Sequence, residues 1–159
     1  MAVNAYCIVD GVPGPSTSLS NAIDILSFSF GASNTAVFGP GASGGESRAG
    51  RTDVQNVTIM KVLDKTSPQL FENCVTGDYL KSVEIQYFKP MGNKQDVYFK
   101  IRMENVLITS VQLSGSNENP TESVSFAFAK VKVSYNPESG GKLQGFVDKG
   151  FDVEKLATW

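Results

Sequence analysis

A motif typical of catalytic serines lies in a glycine-rich segment of the chain. Residues Gly41–Gly45 read GASGG, which matches the G-x-S-x-G elbow that presents the reactive serine of many hydrolases. That serine needs a neighbouring base to accept its proton, and histidine is the usual base. The chain contains no histidine, and no helical pattern follows Gly45. We therefore interpret Ser43 as a loop residue, and the sequence predicts no catalytic residue and no enzyme.

The same segment contains a second motif, typical of nucleotide-binding loops. Gly39–Gly44 matches G-x-G-x-x-G, in which the last glycine normally opens a helix that holds a pyrophosphate at its N-terminus. The next residues, from Glu46 to Gly50, read ESRAG and have no helical pattern. Closely spaced glycines without a following helix are typical of a flexible surface loop. The sequence therefore predicts no bound cofactor.

Residues that commonly bind metals are scarce. Zinc and copper sites usually use histidine and clustered cysteines, but histidine is absent and Cys7 and Cys74 are far apart in the sequence. Asp64 and Glu84 are interpreted as a charge at a helix start and a solvated strand residue. We predict no metal site. The two cysteines are expected to be reduced thiols, with one disulfide between them as the alternative.

The composition argues against several classes of binding protein. Hydrophobic residues make up 41% of the 159 residues and charged residues 19%, as expected for one globular domain. The net charge of −2 argues against nucleic-acid or membrane-surface binding, which would require a basic field. The first residues, MAVNAYCIVDGVPGP, lack the basic and apolar regions of a signal peptide. We expect a cytoplasmic protein that, if exported, does not use the general secretory route.

Alternating hydrophobicity predicts a mainly β protein, a single two-sheet barrel or sandwich. The predicted strand Ile23–Phe30 has its apolar side chains on one face: Leu26, Phe28 and Phe30. The other face carries Ile25 and two small polar side chains, Ser27 and Ser29. Later strands change phase near Asn105 and near Ala129, which predicts a bulge or a strand that passes from one packed layer to another.

Basic residues also alternate along these later strands. The positions two residues apart are Lys100 and Arg102 in one strand and Lys130 and Lys132 in the next. We interpret them as a solvated face, because lysine is usually exposed. The alternative is a protein-facing stripe that keeps the sheet edges soluble.

One short helix is predicted at Ser67–Thr76. Ser67 can be its N-cap, with Pro68 at the first helical position, and Gly77 is a natural stop. A capping box formed by Thr66 and Gln69 is the alternative start. The apolar side chains at helical spacing are expected to pack on the outside of the sheet: Leu70, Phe71, Cys74 and Val75.

The segment Gly31–Thr52 is a predicted loop that joins two strand patterns. It has no helix or long strand pattern of its own, and loops of this length inside a domain usually have a function. Because the sequence lacks catalytic groups, we interpret this loop as a segment that binds other proteins.

Several segments resemble the haemolysin-coregulated protein (Hcp) family, which forms the tube of the bacterial type VI secretion system. The most specific segment is Asp64–Leu70, which reads DKTSPQL. Other matching segments follow the same order over nearly the whole chain: Ile23–Gly31, Asp53–Val57, Asn105–Val111, Thr121–Val131 and Lys149–Asp152. The family usually has tryptophans where Phe28 and Phe30 stand, so the paired phenylalanines are a departure.

The resemblance implies a structural subunit that forms hexameric rings, and the rings stack into a hollow tube. The tube would carry effector proteins in its lumen and leave the cell without a signal peptide. The implied partners are copies of the chain, a sheath, a tip and the effectors. Ser27 and Ser29 would face the lumen, since Ser29 matches a serine on the inner wall of relatives. The loop would contact the adjacent ring through these residues: Gly39, Gly41, Ser43, Gly44, Glu46 and Arg48.

Two other functions remain as alternatives. A tail-tube protein of a phage-like particle would have a similar fold. A small β-barrel that binds a ligand would require a deep pocket with convergent polar groups, and the sequence offers no candidate for one.

Overall fold

The computed structural model describes residues 4–35, 51–92, 94–115 and 118–159. Within them one helix, α1, spans Ser67–Thr76. The long strands are β7 (Leu80–Met91), β8 (Lys94–Ser114) and β9 (Thr121–Tyr135). The shorter strands before the helix are β1 (Ala5–Val9), β2 (Ile23–Asp24), β3 (Ser27–Ser29), β4 (Ala32–Asn34), β5 (Thr52–Val54) and β6 (Val57–Val62). Those near the C-terminus are β10 (Glu138–Ser139), β11 (Lys142–Leu143), β12 (Val147–Asp152) and β13 (Ala157–Thr158).

Strand β9 is the centre of the main sheet. It pairs with β8 over residues 121–135, with β6 over residues 121–126 and with β12 over residues 130–135, all antiparallel. Beyond β8 follow β7, β1 and β2. The sheet folds over into two layers that enclose one apolar core. The arrangement is sandwich-like rather than a closed barrel, which confirms the predicted mainly β class with one short helix.

The long strands β8 and β9 belong to both layers because their buried sides change partway along. In β8 the change occurs at Asn105, whose φ is 51°. The fully buried side chains of β8 on either side of it are Ile101, Met103, Val106 and Ile108. In β9 the buried positions shift around Ala129: Val124, Phe126 and Val131. These are the two positions at which the sequence pattern predicted a change of phase.

Helix α1 has the predicted bounds, and its N-cap is Thr66, the alternative of the two predicted starts, but the predicted capping box is not formed. Thr66 is the N-cap residue and makes no capping hydrogen bond with its side chain. Its hydroxyl and its N–H both donate to Asp64 Oδ1 instead. Gly77 ends the helix with φ of 71°, and its N–H donates to the Asn73 carbonyl at 3.1 Å.

The predicted packing of the helix is wrong at two positions. Leu70 is fully buried, and Cys74 is half-buried against the core. Phe71 is 53% exposed and Val75 is 68% exposed. Both lie on one flank of the helix beside the buried face, because four residues advance the helix by slightly more than one turn.

The predicted strand Ile23–Phe30 is divided into β2 and β3. The first part pairs with β1 and the second with β6. Ile25 between them is buried, whereas Leu26 is 50% exposed. The expectations that Leu26 shares a face with Phe28 and Phe30, and that Ile25 shares one with Ser27 and Ser29, are therefore wrong. At this point the chain stops pairing with β1 and begins to pair with β6. The Ile25 N–H donates to the Ala5 carbonyl, and the Leu26 N–H donates to the Met60 carbonyl.

The long loop has a short stem of its own, which the sequence pattern did not indicate. Strands β4 and β5 pair at its base. The Gln55 N–H donates to Gly31 at 2.9 Å and the Thr35 N–H to Arg51 at 3.3 Å. The stem therefore continues the β3–β6 strand pair beyond the main sheet.

Candidate functional site

One outer surface of the sheet carries small uncharged side chains in register across four strands. The strands are β3, β6, the first half of β9 and the last part of β8. Residues directly opposite each other in antiparallel strands point to the same face. One row across the sheet consists of Ser29, Thr58, Ser125 and Ser110. The next row consists of Ser27, Met60, Ser123 and Gln112. We call these two rows the hydroxyl face.

Hydrogen bonds hold parts of the hydroxyl face in place. The hydroxyl oxygens of Thr58 and Ser125 are 2.9 Å apart. The Thr109 hydroxyl donates to the Ser125 carbonyl at 3.3 Å, and the Asn56 amide donates to the Thr109 hydroxyl at 3.3 Å. None of the eight side chains in the two rows carries a charge. Such a surface can exchange hydrogen bonds with many passing molecules without selecting them by charge.

The structure places Ser27 and Ser29 on the hydroxyl face, and both are exposed. Phe28 and Phe30 are half-buried and pack against the core from the other side of the strand. The Phe28 ring lies 5.4 Å from the ring of Tyr87, and the Phe30 ring lies 6.1 Å from that of Phe128. The aromatic side chains thus fix the strand so that the two serines point outward.

This four-stranded surface has a free edge on each side within the described residues. At one side β3 pairs with β6 alone. At the other side the pairing of β7 with β8 ends at Leu80 opposite Val106, so residues 107–114 of β8 have β9 as their one strand neighbour. Free edges present unpaired backbone groups that can accept a further strand.

A buried ion pair lies on the inner side of the same strands. Lys61 in β6 and Glu122 in β9 are directly opposite each other, with Nζ 2.6 Å from Oε1, and neither side chain is exposed. Lys61 Nζ is also 3.3 Å from Asp64 Oδ1 and donates to Ser67 Oγ at 3.2 Å. Because Ser67 is the first residue of α1, the pair connects the helix to the sheet.

Sequence reasoning missed this pair, although a signal was present. Lys61 alternates with the buried Val57 and Ile59 on one face of β6. Glu122 likewise shares a face of β9 with the buried Val124 and Phe126. A lysine and a glutamate on the apolar faces of two strands therefore indicated a buried pair, because such charges are almost never buried singly.

The basic residues of β8 and β9 lie on the outer side of the other part of the sheet. Arg102 Nη1 is 3.2 Å from Glu84 Oε2. Lys100 Nζ lies 4.2 Å from the ring centre of Phe146, and Lys132 Nζ lies 4.2 Å from that of Trp159. Lys130 Nζ also faces Trp159, at 5.5 Å. These charges are separate from the hydroxyl face.

The predicted ring-stacking residues lie outside the described part of the chain. They are Gly39, Gly41, Ser43, Gly44, Glu46 and Arg48. The described β4–β5 stem leads away from the end of the sheet where β6 begins.

The described residues include few side chains that could act as nucleophiles or metal ligands. Burial raises the pKa of the Cys7 thiol to about 12, which leaves it protonated and unreactive at neutral pH. Cys7 and Cys74 are both free thiols. In residues 4–35, 51–92, 94–115 and 118–159, no three acidic, cysteine or histidine side chains come close enough to share a metal ion. The helix described here is too short to cross a membrane.

Comparison with known proteins gives one consistent result. Residues 6–135 match the family model described as type VI secretion system effector, Hcp. The protein hcp1 of Pseudomonas aeruginosa is 32% identical over 109 residues, which cover 66% of this chain and 67% of that protein.

Solved structures agree over the whole fold. A type six secretion system protein superposes with a TM-score of 0.89 at 25% identity, covering 99% of this chain and 100% of that one. Hcp1 from Salmonella typhimurium superposes with a TM-score of 0.80 at 22% identity, covering 100% of both chains. The chain belongs to the Hcp family of the type VI secretion system, a family of secreted structural tube proteins rather than enzymes.

Proposed function

We propose that this chain is a tube subunit whose copies join edge to edge into a closed ring. The free edge of β3 in one copy would pair with residues 107–114 of β8 in the next. The main support for this proposal is that one four-stranded surface has both two free edges and the uncharged hydroxyl face. A heterologous contact of this kind closes into a ring when its rotation allows. Six copies per ring is the number implied by membership of the family.

The hydroxyl face would line the lumen of the ring. Edge pairing keeps side chains in register across strands, so the row of Ser29 and Ser110 would continue from copy to copy. Ser27 and Ser29 would contact effector proteins during transport. An uncharged wall of short side chains suits cargo that must enter and leave, since it offers no strong charge-assisted bonds.

Rings would stack through the long loop. Its stem continues the β3–β6 pair past the end of the sheet, and we infer from this that the loop would reach a neighbouring ring along the tube axis. The loop residues proposed to contact that ring are Gly39, Gly41, Ser43, Gly44, Glu46 and Arg48. A sheath around the tube and a tip protein at its end would be the remaining partners, with export to the outside or into target cells.

Multi-angle light scattering and electron microscopy of the purified protein test the proposal. We expect a particle of ring mass with an annular outline. The edge variant Ser110→Lys should lose rings, because a lysine on an edge strand opposes further strand pairing. The matched control Thr158→Lys adds the same charge at an exposed position far from both edges and should retain them. A wild-type protein that stays monomeric at high concentration would refute the proposal.

A further inference from the structure

Helix α1 presents an apolar flank that the protomer does not cover. Phe71 and Val75 are separated by one turn and are 53% and 68% exposed. The buried face of the helix, with Leu70 at its centre, packs against β8. The helix therefore lies on the side of the protomer that also carries the free edge of β8. Leu113, at the end of this edge, is a further exposed apolar side chain, at 55%.

A mainly apolar groove lies beside β3, at the other edge of the four-stranded surface. It has a volume of about 280 Å³. Its apolar lining consists of Pro15, Ile25, Leu26, Val62 and Leu63. Two carboxylates, Asp24 and Asp64, also line it. Leu26 is 50% exposed and Val62 is 41% exposed, so the groove is open to solvent in the isolated chain. It has room for a large apolar side chain.

The flank and the groove are at the same level of the sheet. Val62 lies opposite Thr121, which lies opposite Ser114 at the free edge of β8. The adjacent row across the same strands consists of Lys61, Glu122 and Leu113. The Lys61–Glu122 pair contacts Ser67 at the start of α1, so the helix begins at this level and Phe71 follows one turn later.

We propose that Phe71 and Val75 of one copy occupy the groove lined by Leu26 and Val62 of the next copy. This inference rests on the proposed edge-to-edge ring, which brings the β8 side of one copy against the β3 side of its neighbour. The occupant is a second copy because both surfaces belong to this chain, lie at opposite edges and share one level. Their contact forms an apolar layer beneath the paired backbones and buries surface that each copy alone exposes to water.

Disulfide trapping tests the contact directly. The variant carries Phe71→Cys and Val62→Cys in a Cys74→Ser background, because Cys74 lies one turn from position 71. Mild oxidation should produce a ladder of covalent oligomers up to the ring size on a non-reducing gel. The control pair Phe71→Cys with Thr158→Cys places one thiol far from the groove and should give no ladder.

The outcomes separate this inference from the ring proposal. Rings without a ladder for the Phe71→Cys/Val62→Cys pair would overturn the inference and leave the ring proposal standing. A monomeric wild type would overturn both. A ladder that reaches ring size supports the seating of the helix flank in the neighbouring groove.

A second variant checks the energetic role of the flank. Phe71→Ser should raise the concentration at which half of the rings dissociate by at least about tenfold, as expected for loss of a buried aromatic anchor. Its folding should be unchanged by circular dichroism, because Phe71 is exposed in the protomer. Glu72→Ser, on the exposed side of the same helix, is the matched control. Equal dissociation of both variants would contradict the proposal.

Discussion

Lys61 and Glu122 face each other across β6 and β9 with Nζ 2.6 Å from Oε1, and both side chains are fully buried. Glu122 Oε2 accepts no hydrogen bond from the described residues, so Lys61 is the main compensation for this buried charge. The pair stabilises the connection between the sheet and the first turn of α1 through Ser67. The placement of the helix therefore depends on a contact between two strands.

Lys61→Met should lower the free energy of unfolding by about 3–5 kcal/mol, because Glu122 would remain buried without its counter-charge. The double variant Lys61→Met/Glu122→Leu should recover most of that loss, since an apolar pair needs no compensation. Urea unfolding followed by circular dichroism, with all proteins in the same assembly state, measures both values. Arg102→Met is the control: its pair with Glu84 is partly exposed and should contribute no more than about 1 kcal/mol. A single variant as stable as the wild type would show that the pair is not structural.

Ser29→Gln should reduce the retention of effector proteins by the rings more than it reduces ring stability. The longer side chain projects from an exposed position of the hydroxyl face and changes the wall without touching the core. The measurement is the amount of effector that co-purifies with the rings, set against the ring fraction from light scattering. Ser29→Ala is the matched control with no added bulk. Loss of rings with normal effector retention would place Ser29 in the subunit contact instead.

Deletion of residues 42–49 should leave the fold intact and stop the stacking of rings. The β4–β5 stem lies outside the deleted residues, so the main sheet does not depend on them. Sedimentation should show single rings, and electron micrographs should show annuli without tubes. Tubes of normal length from the deletion variant would contradict the stacking role of the loop.

Gly150→Ala should displace Trp159, the single tryptophan of the chain. A Cβ atom at position 150 would lie 2.9 Å from the Trp159 carbonyl oxygen and 3.1 Å from its ring carbon Cε3. It would also lie 2.9 Å from the Val131 carbonyl oxygen, so the strand on the other side leaves no room for relief. Tryptophan emission should shift to longer wavelength as the ring becomes more exposed.

Gly115→Ala is the control for this substitution, because no atom lies within 4 Å of its Cβ position. It should leave the emission unchanged. Identical spectra for both variants and the wild type would mean that the C-terminal segment does not require the glycine.

The buried thiol of Cys7 should make the protein less stable in alkaline solution. Burial raises its pKa from 9.0 to about 12. Below the unfolded pKa both states keep the proton. Between the two values the unfolded state releases it while the folded state does not, so the free energy of unfolding falls as pH rises. The loss should approach about 1.4 kcal/mol per pH unit in that window.

Urea unfolding of the wild type and of Cys7→Ala between pH 8 and pH 11 measures this contribution. The variant should be less stable at pH 8, because it lacks buried volume, but should lose less stability as pH increases. Parallel curves for the two proteins would exclude Cys7 as the source of the alkaline dependence.

The sequence was most informative where a single residue type determines the local backbone. Pro68 and Gly77 delimit a helix by their own geometry, and α1 has these bounds. The change of phase at Asn105 was visible because both sides of it alternate strictly, and burial in β8 follows the same pattern. In each case the signal lies within a few residues of the feature.

The sequence was least informative where a residue's environment depends on a distant strand. Leu26 alternates correctly with Phe28, yet the chain leaves β1 for β6 just before it, and no local pattern encodes that exchange. Phe71 and Val75 have helical spacing but lie on the flank of α1 rather than toward the core. Hydrophobic spacing alone does not indicate whether the covering surface comes from the same chain.

The passage of β8 and β9 through both layers has a mechanical consequence. In a sandwich of two independent sheets, interdigitated side chains alone hold the layers together. Here the covalent backbone of two adjacent strands crosses from one layer to the other at Asn105 and Ala129. Displacement of one layer along the other would therefore have to bend the backbones of both strands as well as disturb the side-chain packing.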